Sequence, residues 1–404
     1  MSASKLETVV VVGASLAGLR GAEALRRLGY QGRLVLVGDE PVPPYDRPPL
    51  SKQVLRGERE PEQIRLSKPE AFDALELDLR LGTRATSLDP GARQLLLEDG
   101  ERIAYDGLLI ATGARARALP GAPALPGVFT LRTLPDALAI RAALAGSPRV
   151  AVIGGGFIGA EVAASCRKLG LDVHMLEALP SPMARVLNPA IGAVCADAHR
   201  DEGVDVRLGV GVEALEGAGR VERLRLSDGS RIEADVVVVG IGATPATDWL
   251  ESSGLALDDG VLCDATCATR APGVVAAGDV ARWHHAGYGE RLRLEHWTNA
   301  VEMSEAAAAR LLGGDDVPPF APVPFVWSDQ YDLKIQAAGH VRPDDEMQVL
   351  HGSLSERRFV ALFGRGGRLS GALAINRVRQ LMGYRRMMRE GASFADAVAK
   401  GREA

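Results

Sequence analysis

The chain has 404 residues, 47% of them hydrophobic and 25% charged, with a net charge of −5. It is too long for one ordinary hydrophobic core and fits a globular protein of two or three domains. The acidic balance argues against wholesale nucleic-acid binding, and no stretch approaches the ~18 apolar residues of a membrane span.

No secretory leader is read in "MSASKLETVVVVGASLAG", whose apolar run is only Val9 to Val12. That run predicts a strand, followed by a glycine turn at Gly13 and a helix that stops at Gly29. A second strand ends at Asp39 and Glu40. Strand, glycine turn, helix and acidic strand end form the signature of a dinucleotide site. Gly13 and Gly18 fill its first and last glycine positions, and Ser15 replaces the middle one.

"YDRPPLSK" follows at residues 45–52. Pro48 and Pro49 fix the backbone, and Pro49 suits the first helical position, so Lys52 falls in the first turn of a helix. A cation there opposes the helix dipole, which asks for a role beyond helix formation. "LLLEDGERIAYDGLLIATGA" then predicts a hairpin at Asp99-Gly100, an alternating strand and a buried strand running to Thr112-Gly113.

The pattern repeats. "VAVIGGGFIGAEVAASCRKLGLDVHMLEA" starts at residue 150 with a complete fingerprint of Gly154, Gly156 and Gly159, a helix stop at Gly170 and a strand ending at Glu177. "LRLSDGSRIEADVVVVGIGA" repeats the hairpin and return strand, and Asp228 to Gly242 spans the same fourteen positions as Asp99 to Gly113. The reading is therefore α/β, with two Rossmann-like dinucleotide-binding domains of one architecture. Glu177 would accept hydrogen bonds from ribose hydroxyls and repel a 2′-phosphate, so the second site reads as NAD. The architecture of the first site alone does not distinguish FAD from NAD.

"TCATRAPGVVAAGDVAR", residues 266–282, predicts a buried strand with Gly278-Asp279 at a strand-to-helix turn. Cys166 and Cys195 read as helix residues, Cys263 and Cys267 as strand and turn. With no CxxC, neither a zinc ribbon nor a dithiol redox centre is indicated, and a reduced cytoplasmic setting fits. His284-His285 reads as a solvated loop, with no third ligand spaced for a metal.

"GASLAG", "YDRPPLSK", "ATGA", "LRTLPDA", "GGGFIGAEVA", "AAGDV", "LEHWTNA" and "WSDQYDLKIQAAG" occur in order across nearly the whole chain. Together they resemble the FAD-dependent, NADH-linked ferredoxin reductases of putidaredoxin reductase and biphenyl-dioxygenase reductase type. The resemblance implies a glutathione-reductase-like plan. An FAD domain (1–116 and 245–320) would be interrupted by an NAD domain (117–244), and a C-terminal α/β domain (321–404) would cover the flavin. It implies that FAD is held by Gly13, Ser15, Ala17, Gly18, Asp39, Lys52, Ala85, Thr112, Gly113, Arg132, Gly278, Asp279, Trp297 and Trp327. NAD would be held by Gly154, Gly156, Ile158, Gly159, Glu161, Glu177 and Gly242. Lys52, paired with Glu161, would stabilise charge on the reduced flavin. Ser15, His296 beside Trp297, and the missing second aromatic just before Trp327 depart from the family pattern.

The implied activity is hydride transfer from NADH to FAD. Single electrons then pass to a small iron–sulfur ferredoxin that serves a haem monooxygenase or Rieske dioxygenase. Two other readings compete. An NADH oxidase or a coenzyme A disulfide or peroxide reductase would need a reactive cysteine near the flavin, and "PLSK" has none nearby. A redox sensor like apoptosis-inducing factor would show a long C-terminal insertion, a targeting peptide or a strongly basic surface. "NRVRQLMGYRRMMRE", residues 376–390, carries five arginines against one glutamate. Arg385, Arg386 and Arg389 are expected to share a helix face on which an acidic ferredoxin docks.

Overall fold

The computed structural model describes residues 6–184, 187–342 and 344–403. The chain forms two compact units, both discontinuous: 1–46, 64–115 and 244–322 make the first, and 47–63, 116–243 and 323–404 the second.

The first unit is built on a five-stranded sheet in the order Val274–Ala276, Gly107–Ile110, Thr8–Val12, Arg33–Gly38, Leu77–Leu81. Every pairing is parallel. Strands buried on both faces need no alternation, and Val9 to Val12 are accordingly a continuous apolar run. The helices Leu16–Arg27 and Trp297–Gly313 pack together and on this sheet. The Asp99-Gly100 hairpin joins two strands of an antiparallel meander, Ala85–Asp89, Gln94–Leu97 and Arg102–Ala104.

The second unit repeats the plan. Its parallel sheet runs Asp205–Leu208, Val173–Glu177, Val150–Ile153, Val236–Val239, Val128–Thr130. A meander of Val212–Glu216, Arg223–Leu226 and Arg231–Glu233 again turns at Asp228-Gly229. The C-terminal segment adds a five-stranded antiparallel sheet, ordered Phe325–Gln330, Leu333–Gly339, Arg368–Ile375, Arg358–Arg365, Glu346–Ser353. Alternation along its strands produces two apolar faces. Val360, Leu362, Ala372 and Ala374 pack beneath the sheet's own helices, Val378–Arg389 and Phe394–Glu403. Phe359, Ala361, Phe363, Leu373 and Ile375 pack against Ile191, Cys195 and Ala198 of the helix Pro189–Asp201. The C-terminal sheet thus shares a core with the second nucleotide-type fold, which is why the two group as one unit.

Two expectations fail locally. Gly278-Asp279 does not open a helix: a single 3₁₀ turn, Gly278–Val280, leads straight into the strand Ala281–His285. His284-His285 ends that strand and is not a solvated loop. Alternation buries His285 and exposes His284, and the His285 Nε2 meets the Pro322 carbonyl at 2.8 Å. The competing signal was Trp283, fully buried on the same strand.

Candidate functional site

The glycine positions of the two fingerprints differ in what they require. A Cβ on Gly13 would lie 2.2 Å from the Ala111 carbonyl oxygen, and one on Gly18 1.8 Å from that of Gly13. In the second copy a Cβ on Gly154 would meet Gly240 O at 2.4 Å and one on Gly159 would meet Gly154 O at 2.0 Å. Gly13 and Gly154 also hold φ of +116° and +101°, where side chains are strained. These glycines are dictated by backbone crossing backbone. The middle position is different: a Cβ on Gly156 has only Gly240 O within 4 Å, at 3.9 Å. The protein leaves space there, beside the N-terminus of the helix Phe157–Lys168, as a phosphate cradle requires. Ser15 occupies the same extended N-cap position before Leu16–Arg27, and its side chain does not cap the helix. Its φ of −119° is one that any residue adopts, so the backbone here does not demand glycine.

Around the first cradle, Gly278 has φ of +77°, and a Cβ there would touch the Ala17 Cβ at 3.0 Å, so Gly278-Asp279 comes to the start of the first helix. The Thr112 hydroxyl donates to the Ala246 carbonyl at 2.9 Å, and Ala246 N–H donates to Gly113 O, tying the return strand to the re-entering chain. Asp39 is exposed just past its strand, whereas its neighbour Glu40 accepts from the Tyr45 hydroxyl. Ala85 begins the meander, and Trp297 starts the helix Trp297–Gly313 with its indole donating to Asp46 Oδ1 at 2.9 Å. Gly13, Ser15 and Gly18 form the turn at the N-terminus of the helix Leu16–Arg27, the kind of place where a dinucleotide phosphate binds.

In the second unit, both Glu177 oxygens accept backbone N–H groups, from Gly155 and from Leu179, each at 2.8 Å. The carboxylate is fixed at the glycine turn and remains partly exposed. Ile158 is 41% exposed at the start of its helix, an apolar side chain held beside the cradle. Gly242 closes the return strand at φ +113°, and Arg132 precedes the helix Leu134–Ala143.

Lys52 lies in a single wide helical turn, Leu50–Val54, entered from Pro49, so the expected helix is one turn long. It is 8% exposed and its Nζ donates to Glu161 Oε2 at 2.7 Å. A buried ammonium costs several kcal/mol unless paired, and Glu161 is the pair. The carboxylate is fully engaged. Oε2 also accepts from Ser51 Oγ at 2.6 Å, and Oε1 accepts from Ser328 Oγ at 2.8 Å. A polar cleft of about 530 Å³ opens beside the pair, bordered by Lys52, Arg56, Lys168, Trp327 and Tyr331. Trp327 stands on the strand Phe325–Gln330, its ring 6.2 Å from that of Phe325, which supplies the aromatic neighbour absent at position 326.

Sequence reasoning missed Ser51, Ser328 and the residues behind Ser328. The signal was present: in "WSDQ" the alternation puts Ser328 and Gln330 on the inward side of a strand, where polar residues are unusual.

All four cysteines are free and buried. Burial pushes the thiols of Cys166, Cys195 and Cys263 up to about 12, and Cys267 well above its ordinary value. Buried thiols shifted upward in this way are protonated at neutral pH and poor nucleophiles. The basic helix departs from expectation. Arg385 turns inward, its guanidinium donating to the Val323 carbonyl and lying 5.2 Å over the Phe325 ring. Arg386 and Arg389 are exposed, as are Arg379, Val378 and Met382. Residues 385 and 386 are 100° apart on a helix, and the apolar ring beneath captures the first of them. Among the described residues no helix is long and apolar enough to cross a membrane, and no group of three or more His, Cys, Asp or Glu could hold a metal.

The pyridine nucleotide-disulphide oxidoreductase family model matches residues 7–304, and a reductase C-terminal model matches 325–403. The chain is 38% identical to rhodocoxin reductase of Rhodococcus erythropolis, over 94% of this chain and 89% of that protein. It is 40% identical to the ferredoxin–NAD(+) reductase component of the biphenyl dioxygenase system of Paraburkholderia xenovorans LB400, over 93% and 91%. The crystal structure of the covalent putidaredoxin reductase–putidaredoxin complex superposes with a TM-score of 0.92 at 33% identity, covering 98% of this chain and 99% of that one. The resemblance drawn from the eight sequence motifs is borne out.

Proposed function

The chain belongs to the pyridine nucleotide-disulphide oxidoreductase family, and on that footing we propose that it is an NADH-dependent, FAD-containing ferredoxin reductase. It takes reducing equivalents from NADH and delivers them to a small iron–sulfur ferredoxin that supplies a haem monooxygenase or a Rieske-type dioxygenase. FAD, when bound, accepts a hydride and releases electrons one at a time. Gly13, Ser15, Ala17, Gly18, Asp39, Ala85, Thr112, Gly113, Gly278, Asp279 and Trp297 hold it in the first unit. The family resemblance further assigns Arg132, Lys52 and Trp327 to FAD. NADH lies on Gly154, Gly156, Ile158, Gly159 and Gly242, with its adenosine ribose on Glu177 and its nicotinamide end toward Glu161. We assign 1–116 with 245–320 to FAD, 117–244 to NAD and 321–404 to a covering domain. A cytoplasmic location suits four free thiols.

The observation that carries this reading is the buried Lys52–Glu161 pair in a chain with no reactive thiol. A disulfide or peroxide reductase of the same family needs an accessible low-pKa cysteine, and the described cysteines are all buried with raised values. Lys52 supplies a fixed positive charge, and Glu161 keeps that charge in place and neutral overall. Glu177 refuses a 2′-phosphate because its two oxygens are fixed by Gly155 and Leu179 N–H and cannot swing away. The test is NADH-driven cytochrome c reduction with and without added ferredoxin. Strong dependence on ferredoxin supports the reading. Equal rates without it, with peroxide formed from oxygen, would favour an NADH oxidase.

A further inference from the structure

Glu161 Oε1 is the end of a longer chain of buried side chains, all within the second unit. Ser328 Oγ lies 2.8 Å from Oε1. Gln330 Nε2 lies 3.1 Å from Ser328 Oγ. Gln330 Oε1 lies 3.1 Å from His199 Nε2. His199 Nδ1 lies 2.9 Å from the Tyr331 hydroxyl, and the two rings meet edge to face at 5.1 Å. Ser328, Gln330 and His199 are at most 1% exposed.

The direction of every bond follows from chemistry. Burial pushes the His199 pKa down to about 4, so its ring is neutral at pH 7 and carries one N–H. Gln330 Oε1 can only accept, which places that hydrogen on Nε2. Nδ1 therefore accepts from the Tyr331 O–H. The Gln330 amide donates to Ser328, which leaves the serine hydrogen for Glu161. Tyr331, His199, Gln330 and Ser328 thus all donate in one sense, toward the carboxylate. Hydrogen bonds aligned in this way strengthen one another.

These polar groups lie beside the apolar core formed by Phe359, Leu373 and Ile375 with the helix Pro189–Asp201. Apolar side chains of similar volume there would serve stability as well or better. An amide cannot take up a proton and pass one on without changing tautomer, so the chain is not a proton wire. Its effect falls on Glu161: it fixes one oxygen, and so leaves the other aimed at Lys52.

We propose that His199, Gln330 and Ser328 are positioning residues that hold the Glu161 carboxylate oriented toward Lys52 during reduction by NADH. This rests on the reading of Lys52 and Glu161 given above.

The main test is anaerobic stopped-flow reduction of the FAD-loaded protein by NADH. Ser328→Ala should lower the limiting rate about three- to tenfold, the weight of one hydrogen bond lost from an otherwise satisfied carboxylate. The Kd for NADH should change less than about twofold, since Ser328 touches the carboxylate and not the nucleotide cradle. Gln330→Met, which removes the donor to Ser328, should act in the same direction. In a Glu161→Gln background, Ser328→Ala should have almost no further effect, because its target is gone. Rates that multiply in the double variant would overturn the proposal, as would a normal limiting rate in Ser328→Ala and Gln330→Met. A normal limiting rate in Glu161→Gln alone would remove the reading of Glu161, and the proposal with it. A second readout needs no turnover. In ¹⁵N-histidine-labelled apoprotein at pH 7, the His199 signal, identified by its loss in His199→Gln, should be that of the neutral Nε2–H tautomer. The Nδ1–H tautomer would reverse the chain and overturn the proposal.

Discussion

Replacing Lys52 with Met keeps the length and apolar stem of the side chain and deletes the ammonium. The Lys52 side chain is 10% exposed, and its ammonium bonds Glu161 Oε2 over 2.7 Å. Without it the Glu161 carboxylate stays buried, with the Ser51 and Ser328 hydroxyls as its remaining described donors. Breaking a buried ion pair with nothing to compensate costs about 3–5 kcal/mol. Two retained hydroxyl donors offset part of that, and one hydrogen bond to a charged group is worth about 1.5–3 kcal/mol. The lower range is the better figure. If that loss is expressed in the barrier to flavin reduction, at about 1.4 kcal/mol per decade, the rate falls about ten- to a hundredfold. Anaerobic stopped-flow with NADH isolates the step, with FAD content checked by absorbance. Lys52→Arg should rescue it poorly, because a planar fork does not match a point contact on one oxygen. A normal limiting rate in Lys52→Met with full FAD content would refute the reasoning, because Lys52 would then have no part in the transfer.

Glu177→Ala should narrow the preference for NADH over NADPH by weakening one and removing repulsion of the other; equal use of both coenzymes by the unmodified protein would sink the NAD assignment. Gly156→Ala should fold normally, since its Cβ has open space in the protein, yet weaken NADH binding in a titration; Gly159→Ala, blocked at 2.0 Å by Gly154 O, should lose thermal stability as well. Reversing the exposed Arg386 and Arg389 to Glu should raise the Michaelis constant for ferredoxin and leave that for NADH alone, while salt should slow ferredoxin reduction because the Debye length is only about 10 Å at ~0.1 M. His199 has a pKa lowered by burial to about 4 from about 6.5 when unfolded. The unfolded state therefore binds the extra proton first, and stability present above about pH 6.5 is lost as pH falls toward about 4. Denaturant titrations across that window should show a contribution of about 3 kcal/mol that His199→Gln lacks.

The two nucleotide-type folds were legible because their signals are local. Glycine spacing, a buried valine run and an acidic strand end all fall within thirty residues of one another. Lys52 drew attention for a local reason too, since prolines 48 and 49 set a cation where a helix start disfavours it. What covers it was not local: Glu161 is 109 residues away and Ser328 a further 167. The partner came from resemblance and the rest of the cluster was not found. His285 and Gly278-Asp279 were misread because short-range polarity and a glycine were given more weight than strand alternation. Arg385 was misplaced because charge was read without the Phe325 ring beneath it, a contact made from a strand sixty residues earlier in the chain.

The helix Pro189–Asp201 lends one face to the C-terminal sheet, where Ile191, Cys195 and Ala198 meet Phe359, Phe363 and Leu373. This limits how such a chain can be recombined. A chimera that exchanges residues 323–404 for the tail of another reductase inherits a foreign sheet against a native helix, and mismatched volumes in a close-packed layer are poorly tolerated. The transferable block is the tail together with the helix Pro189–Asp201, two pieces separated by more than a hundred residues. A surface property of the tail is then hard to graft by a single crossover. Changing it one surface residue at a time, on Val378–Arg389, leaves the shared layer intact.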